Sequence, residues 1–141
     1  MHIEPLFVDT AYIYALFNKR DQWHEKALEW QQKLALENRS LITTQFILTE
    51  IADGLSPLKS RQNAVNIIHA LENSEIVEVI PATPELFRKG LNLYESRPDK
   101  SWGLTDCISF VVMNEKNLFE VLTTDDHFRQ AGFRVLMLET E

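Results

Sequence analysis

Apolar positions along the chain recur with two periods, and each change of period marks an element. Ile3 to Val8 is a short, largely apolar run, the pattern of a buried strand. Asp9-Thr10 supplies a cap, and Ala11, Tyr12, Ala15 and Leu16 follow at helical spacing. Asp21 opens a longer amphipathic helix with Trp23, Ala27, Trp30 and Leu34 on its apolar stripe. Leu41 to Thr43 predicts a second strand. Gln45 to Asp53 returns to the helical period through Phe46, Ile47, Ile51 and Ala52, and Gly54 ends it. Pro57 marks another helix start, continued by Val65, Ile68 and Leu71. Ile76 to Ile80 is β-branched and reads as a strand. Thr83-Pro84-Glu85 joins a cap, a first-turn proline and an acid, predicting a helix to about Ser96. Thr105 or Asp106 opens a very apolar helix. Glu120 to Thr123 is a strand, Asp125 to Gln130 a helical turn, and Arg134 to Leu138 the last strand.

Strands alternating with helices imply an α/β fold with a parallel sheet covered on both faces. Ligands bind such sheets outside the carboxyl ends of the strands. The 141 residues suit one domain, 1–141, with no repeat, linker or low-complexity tract. A lone Cys107 rules out a disulfide framework and a multi-cysteine zinc site. No stretch approaches the ~20 apolar residues of a membrane span, and the N-terminus has neither the basic start nor the cleavage site of a signal peptide. A cytoplasmic location is expected. A net charge of −7 argues against a protein that grips nucleic acid through a broad basic face. It leaves open an enzyme that meets phosphates through a divalent cation.

The positions of the acids therefore matter more than their number. Asp9 ends the first strand, and Asp125 directly follows the strand ending in Thr123-Thr124. Asp106 heads an apolar helix, and Glu50 sits within another. Each has a purely structural explanation: Asp9, Asp106 and Asp125 as helix caps, Glu50 on a solvated stripe. If the two helices point at the strand ends, four carboxylates converge and repel one another. A hard divalent cation among them resolves that repulsion. An all-oxygen donor set selects Mg²⁺ or Mn²⁺ over zinc, and the matching chemistry is metal-assisted hydrolysis of phosphodiesters.

The segments FVDTAYIYALFN, TTQFILTEIADGL, SWGLTDCISFVVM and VLTTDDHFRQAGF, in that order, resemble the PIN domain family and, within it, the VapC-type toxin ribonucleases. The likeness runs from about Leu6 to Leu136. It implies a three-layer α/β/α sandwich around a mainly parallel sheet of about five strands. It implies an endoribonuclease whose Asp9, Glu50, Asp106 and Asp125 hold Mg²⁺ or Mn²⁺. The doubled acid leaves Asp126 as the alternative to Asp125. Thr10, Thr123 and Asp126 are expected to support the carboxylates. Relatives often carry a serine three residues before the third acid, where this chain has Gly103. The likeness also implies an RNA substrate, a VapB-type antitoxin whose tail crosses the site, and a homodimer. A PIN-like fold serving as a non-catalytic binding or scaffold module is the alternative.

Other readings fail on specific residues. A receiver domain wants an acid pair after the first strand and a lysine after the last parallel one, and an aspartyl phosphatase wants Asp-x-Asp where this chain has Asp-Thr-Ala. Dinucleotide binding lacks its G-x-G-x-x-G. His2, His24, His69 and His127 are dispersed and read by default as packing or surface residues; His127, beside the acidic turn, is the one of the four not remote from the chemistry, and the family likeness makes it a structural neighbour of Phe128. Cys107 reads as a small buried hydrophobe. Trp102, in the loop before Asp106, is the tryptophan best placed to touch substrate. Lys19, Arg20, Arg97 and Lys100 are the basic residues near the expected mouth.

Overall fold

The computed structural model describes residues 3–140, so His2 lies outside it. Five strands, β1 (Leu6–Val8), β2 (Leu41–Thr44), β3 (Val77–Ile80), β4 (Glu120–Leu122) and β5 (Arg134–Val135), form one sheet in the order β3-β2-β1-β4-β5. Every pairing is parallel, with Phe7 opposite Ile42 on one side and Val121 on the other. The helices are α1 (Thr10–Phe17), α2 (His24–Glu37), α3 (Gln45–Gly54), α4 (Arg61–Asn73), α5 (Pro84–Ser96), α6 (Leu104–Glu115) and α7 (Asp126–Gln130). The expected α/β/α sandwich with a five-stranded parallel sheet is the observed one.

Alternation along β1 builds the two layers. Val8 faces a crevice shared with Leu34 of α2 and Ile67 of α4. Phe7 points the other way onto Phe128, which meets Phe110 of α6 edge-on at 4.9 Å between ring centres. Burial of these side chains is the main force holding the layers together. The chain runs outward from β1 to β2 and β3, then returns through α5 and α6 to place β4 on the free side of β1. The winding direction reverses between β1 and β4, and this switch point opens a crevice beyond their carboxyl ends.

Several boundaries differ from the sequence expectation, each for a local reason. The first strand starts at Leu6 because Pro5 has no N–H to donate to the ladder. Asp21 accepts from the Trp23 N–H in a turn, and α2 begins only at His24. Pro57 stands in a turn whose carbonyl accepts from Ser60 and Arg61, so α4 begins four residues later. Helix α6 starts at Leu104, which puts Asp106 in its first turn rather than at its cap. The last strand stops at Val135, and Leu136–Leu138 forms a 3₁₀ turn whose following Glu139 carboxylate grips Arg134.

Candidate active site

The ends of β1 and β4 deliver the first two acids. Asp9 follows Val8, its N–H bonded to the Leu122 carbonyl, so its side chain starts where the two central strands end. Thr123, fully buried after β4, donates from its hydroxyl to Asp9 Oδ2 at 2.7 Å and accepts from the Asp125 N–H at 3.1 Å. One hydroxyl thus ties Asp9 to the turn that carries Asp125. Asp125 caps α7 by accepting from the His127 N–H at 2.9 Å.

The other two acids arrive on helices. Thr44 caps α3 through the Ile47 N–H, and the helix then carries Glu50 to α1. There the Thr10 hydroxyl donates to Glu50 Oε1, while the Tyr14 hydroxyl donates to the Glu50 carbonyl at 2.9 Å. Thr10 and Tyr14 are four residues apart and share one face of α1. Asp106 accepts from the Gly103 N–H at 3.1 Å. The backbone of Gly103 therefore provides a donor to this carboxylate.

Asp9, Glu50, Asp106 and Asp125 line one open cleft of about 430 Å³ together with Thr10, Tyr14 and His127. The caps and the convergence proposed from the sequence coexist: Asp125 does both. Asp9 is a cap by position only, since its side chain makes no capping bond. Asp126 departs from expectation. Its carboxylate takes Arg129 and Gln130 at the exposed end of α7 and supports nothing in the cleft.

Electrostatics single out Asp9, which is 4% exposed. Burial pushes its carboxyl up to about 7 against the Thr123 hydrogen bond, and the charges of Glu50 and Asp106 push the same way. Burial also holds Glu50 above the ordinary carboxylate range; the Thr10 bond opposes this, and Asp106 and Asp125 reinforce it. Asp106 is raised by burial, opposed by the bonds from His127 and Gly103, with Asp125 adding repulsion. The four acids form one mutually repelling group.

Sequence reasoning missed two neighbours of this group. His127, beside the acidic turn but expected only as a structural neighbour of Phe128, has its Nδ1 3.0 Å from Asp106 Oδ2 and 3.5 Å from Asp125 Oδ1. Its position two residues beyond a capping acid was the available signal. Tyr14 escaped because it reads as one more apolar helical position; its spacing from Thr10 was the clue. Trp102 goes the opposite way. It is buried edge-on against Phe110, with its indole N–H on Gln130, and is core rather than a substrate platform. Arg97 lies over its ring and pairs with Asp99, and none of Lys19, Arg20, Arg97 or Lys100 lines the cleft.

The model of the PIN domain family matches residues 6–134. The chain belongs to the PIN domain family. Among solved structures, this PIN domain is similar to VapC20 from Mycobacterium tuberculosis, described as a Sarcin-Ricin loop cleaving toxin. The two are 26% identical over 91% of this chain and 95% of the other, with a TM-score of 0.78. Two more distant likenesses speak to the PIN fold alone. VapBC2 from Rickettsia felis, solved with a DNA fragment from its promoter, is 17% identical over 94% and 96% of the two chains, TM-score 0.63. FitAcB from Neisseria gonorrhoeae is 18% identical over 92% and 95%, TM-score 0.63. No curated protein sequence matches the chain.

Proposed function

We propose that this PIN domain is a metal-dependent endoribonuclease, the toxin of a VapBC-type pair, with Asp9, Glu50, Asp106 and Asp125 as its metal-holding and catalytic residues. The observation that carries this reading is the Asp9 carboxyl, buried beside two other acids at the sheet's switch point. A helix cap needs no such burial, and a carboxylate cluster without a cation is costly. The donor set fits Mg²⁺ or Mn²⁺: carboxylate oxygens predominate, and among the described residues no lysine or arginine neutralises them.

Thr123 and Thr10 each occupy one side of a carboxylate, which fixes Asp9 and Glu50 in rotation and leaves their other lone pairs for a ligand. When bound, the divalent ion supplies Lewis-acid polarisation of a phosphoryl oxygen and a more acidic water. Glu50, held above its ordinary range chiefly by burial, is suited to orient that water and take its proton. Attack at phosphorus breaks the bond to the 3′-oxygen and leaves a 5′-phosphate and a 3′-hydroxyl. The VapB-type antitoxin, the homodimer and the cytoplasmic setting rest on the likeness to VapC-type proteins. An acidic cleft suits a partner that inserts a basic side chain.

Thermal unfolding of wild type and Asp9→Asn, with and without millimolar Mn²⁺, tests the reading. Ligand linkage gives about 2.7 kcal/mol at a hundredfold excess over Kd, a rise of several degrees for wild type. Asp9→Asn is expected to show no rise and no RNA cleavage. A wild type indifferent to Mn²⁺ and Mg²⁺ would return the domain to the non-catalytic module.

A further inference from the structure

We infer that His127 is a nitrogen donor of the carboxylate site, so that the site prefers transition-metal ions such as Co²⁺ and Ni²⁺ to Mg²⁺. The inference rests on the four-carboxylate reading above and adds to it which ions the site selects. Three observations carry it.

The first is convergence. One atom each from Asp106, Asp125 and His127 lies within 4.8 Å of the other two, a spacing one ion can bridge. The second is aim. The His127 N–H is anchored on Asp125 at the start of α7, which turns the ring towards α6 and places Nδ1, not Nε2, among the acids. The third is what stands behind the ring. Nε2 lies 3.5 Å from the Ser101 hydroxyl, so it can carry the ring's proton and donate outward. Nδ1, which shares a proton with Asp106 in the metal-free site, would give up that proton to present its lone pair to an ion while Nε2 keeps the other. A metal-binding imidazole is ordinarily held this way, its second nitrogen fixed by an oxygen.

Adding imidazole to carboxylates changes which ion is favoured. Affinity rises from Mn²⁺ through Co²⁺ to Ni²⁺ at any such site, but oxygen ligands suit magnesium and manganese and imidazole suits ions such as nickel and zinc, so the part of the affinity that depends on His127 reports the nitrogen ligand. A histidine that only held Asp106 in place would affect all these ions alike.

His127→Asn separates the two roles, because the amide can donate to Asp106 from near the Nδ1 position but offers no imidazole nitrogen. Affinities for Mg²⁺, Co²⁺ and Ni²⁺ are read by thermal shift with the metals alone, for wild type, His127→Asn and Asp9→Asn. Wild type is expected to bind Co²⁺ and Ni²⁺ more tightly than Mg²⁺. His127→Asn should weaken Co²⁺ and Ni²⁺ by about tenfold or more and Mg²⁺ by less than about threefold. Nitrogen-15 spectra of histidine-labelled wild type should show diamagnetic Zn²⁺ moving the Nδ1 resonance of His127, which Mg²⁺ does not displace to the same extent. Losses in step for all three ions, or none, would overturn the assignment of His127 and leave the four-carboxylate site standing. Co²⁺ binding that depends on His127 but survives Asp9→Asn would instead support His127 and remove Asp9 from the metal site. A wild type that binds none of the ions would overturn both.

Discussion

Two hydroxyls and one missing methyl decide how the acids are held. Thr123 is fully buried and serves Asp9 and the Asp125 N–H at once. Thr123→Val keeps the shape and strands both partners, so chemical unfolding should show a loss of about 1–3 kcal/mol, largely restored by Thr123→Ser. Gly54 ends α3, as the sequence predicts, but without the positive φ of a left-handed cap, which among the described glycines only Gly132 has. Its role is space: a Cβ there would lie 1.8 Å from the Tyr14 hydroxyl that bonds the Glu50 carbonyl. Tyr14→Phe should cost about 1 kcal/mol. Gly54→Ala, ordinarily worth 0.5–1 kcal/mol to a helix (about that range at compatible sites), should destabilise wild type and stabilise a Tyr14→Ala background. A double-mutant cycle in urea reads that change of sign.

Most elements were legible as patterns, because burial on one face imposes its period on the sequence. Thr83 caps α5 through the Leu86 N–H as expected, and the β-branched run at Val77–Ile80 is a strand. Illegible were the ends fixed by single groups, such as the turn at Pro57 and the edge strand cut short at Val135. The four acids could be named from their places in the chain, since strand ends and helix faces are sequence features. The pairing of His127 with Asp106 could not, because it depends on how α6 and α7 meet. Helix packing is equally hidden. Gly90 of α5 sits so close to α6 that a Cβ would lie 2.2 Å from Ile108 Cγ1 and 3.2 Å from its Cα. Gly90→Ala should therefore cost about 1–3 kcal/mol by overpacking, and weaken Mn²⁺ binding by shifting the helix that carries Asp106. Adding Ile108→Ala should leave the pair less destabilised than the sum of the two single changes.

Across the whole molecule the two ends of the sheet differ in charge. At the amino ends of the strands, Arg39 and Arg134 share Glu120, and Arg134 also takes Glu139. At the carboxyl ends the acids have, among the described residues, only His127, whose burial is outweighed by its bond to Asp106 and the surrounding carboxylates, so that it is held above its ordinary range. Stability of the metal-free protein should therefore depend on pH in a definite direction. Asp9 titrates near 7 when folded and near 3.9 when unfolded, approximately the model-peptide value. Between those values the folded chain holds a proton that the unfolded chain has released. The contribution is complete below about pH 4, falls by up to about 1.4 kcal/mol per pH unit, and is gone once pH passes through the folded value. Glu50 and Asp106, both raised, act with the same sign. Urea unfolding in a chelator should show wild type losing stability from pH 5 to 7.5, with a shallower slope in Asp9→Asn. Saturating Mn²⁺ should flatten or reverse the wild-type slope, because a cation binds the ionised carboxylates and gains as they shed protons. A metal-free wild type with no slope beyond that of Asp9→Asn would remove the repelling cluster, and with it the physical reason for a cation at this end of the sheet.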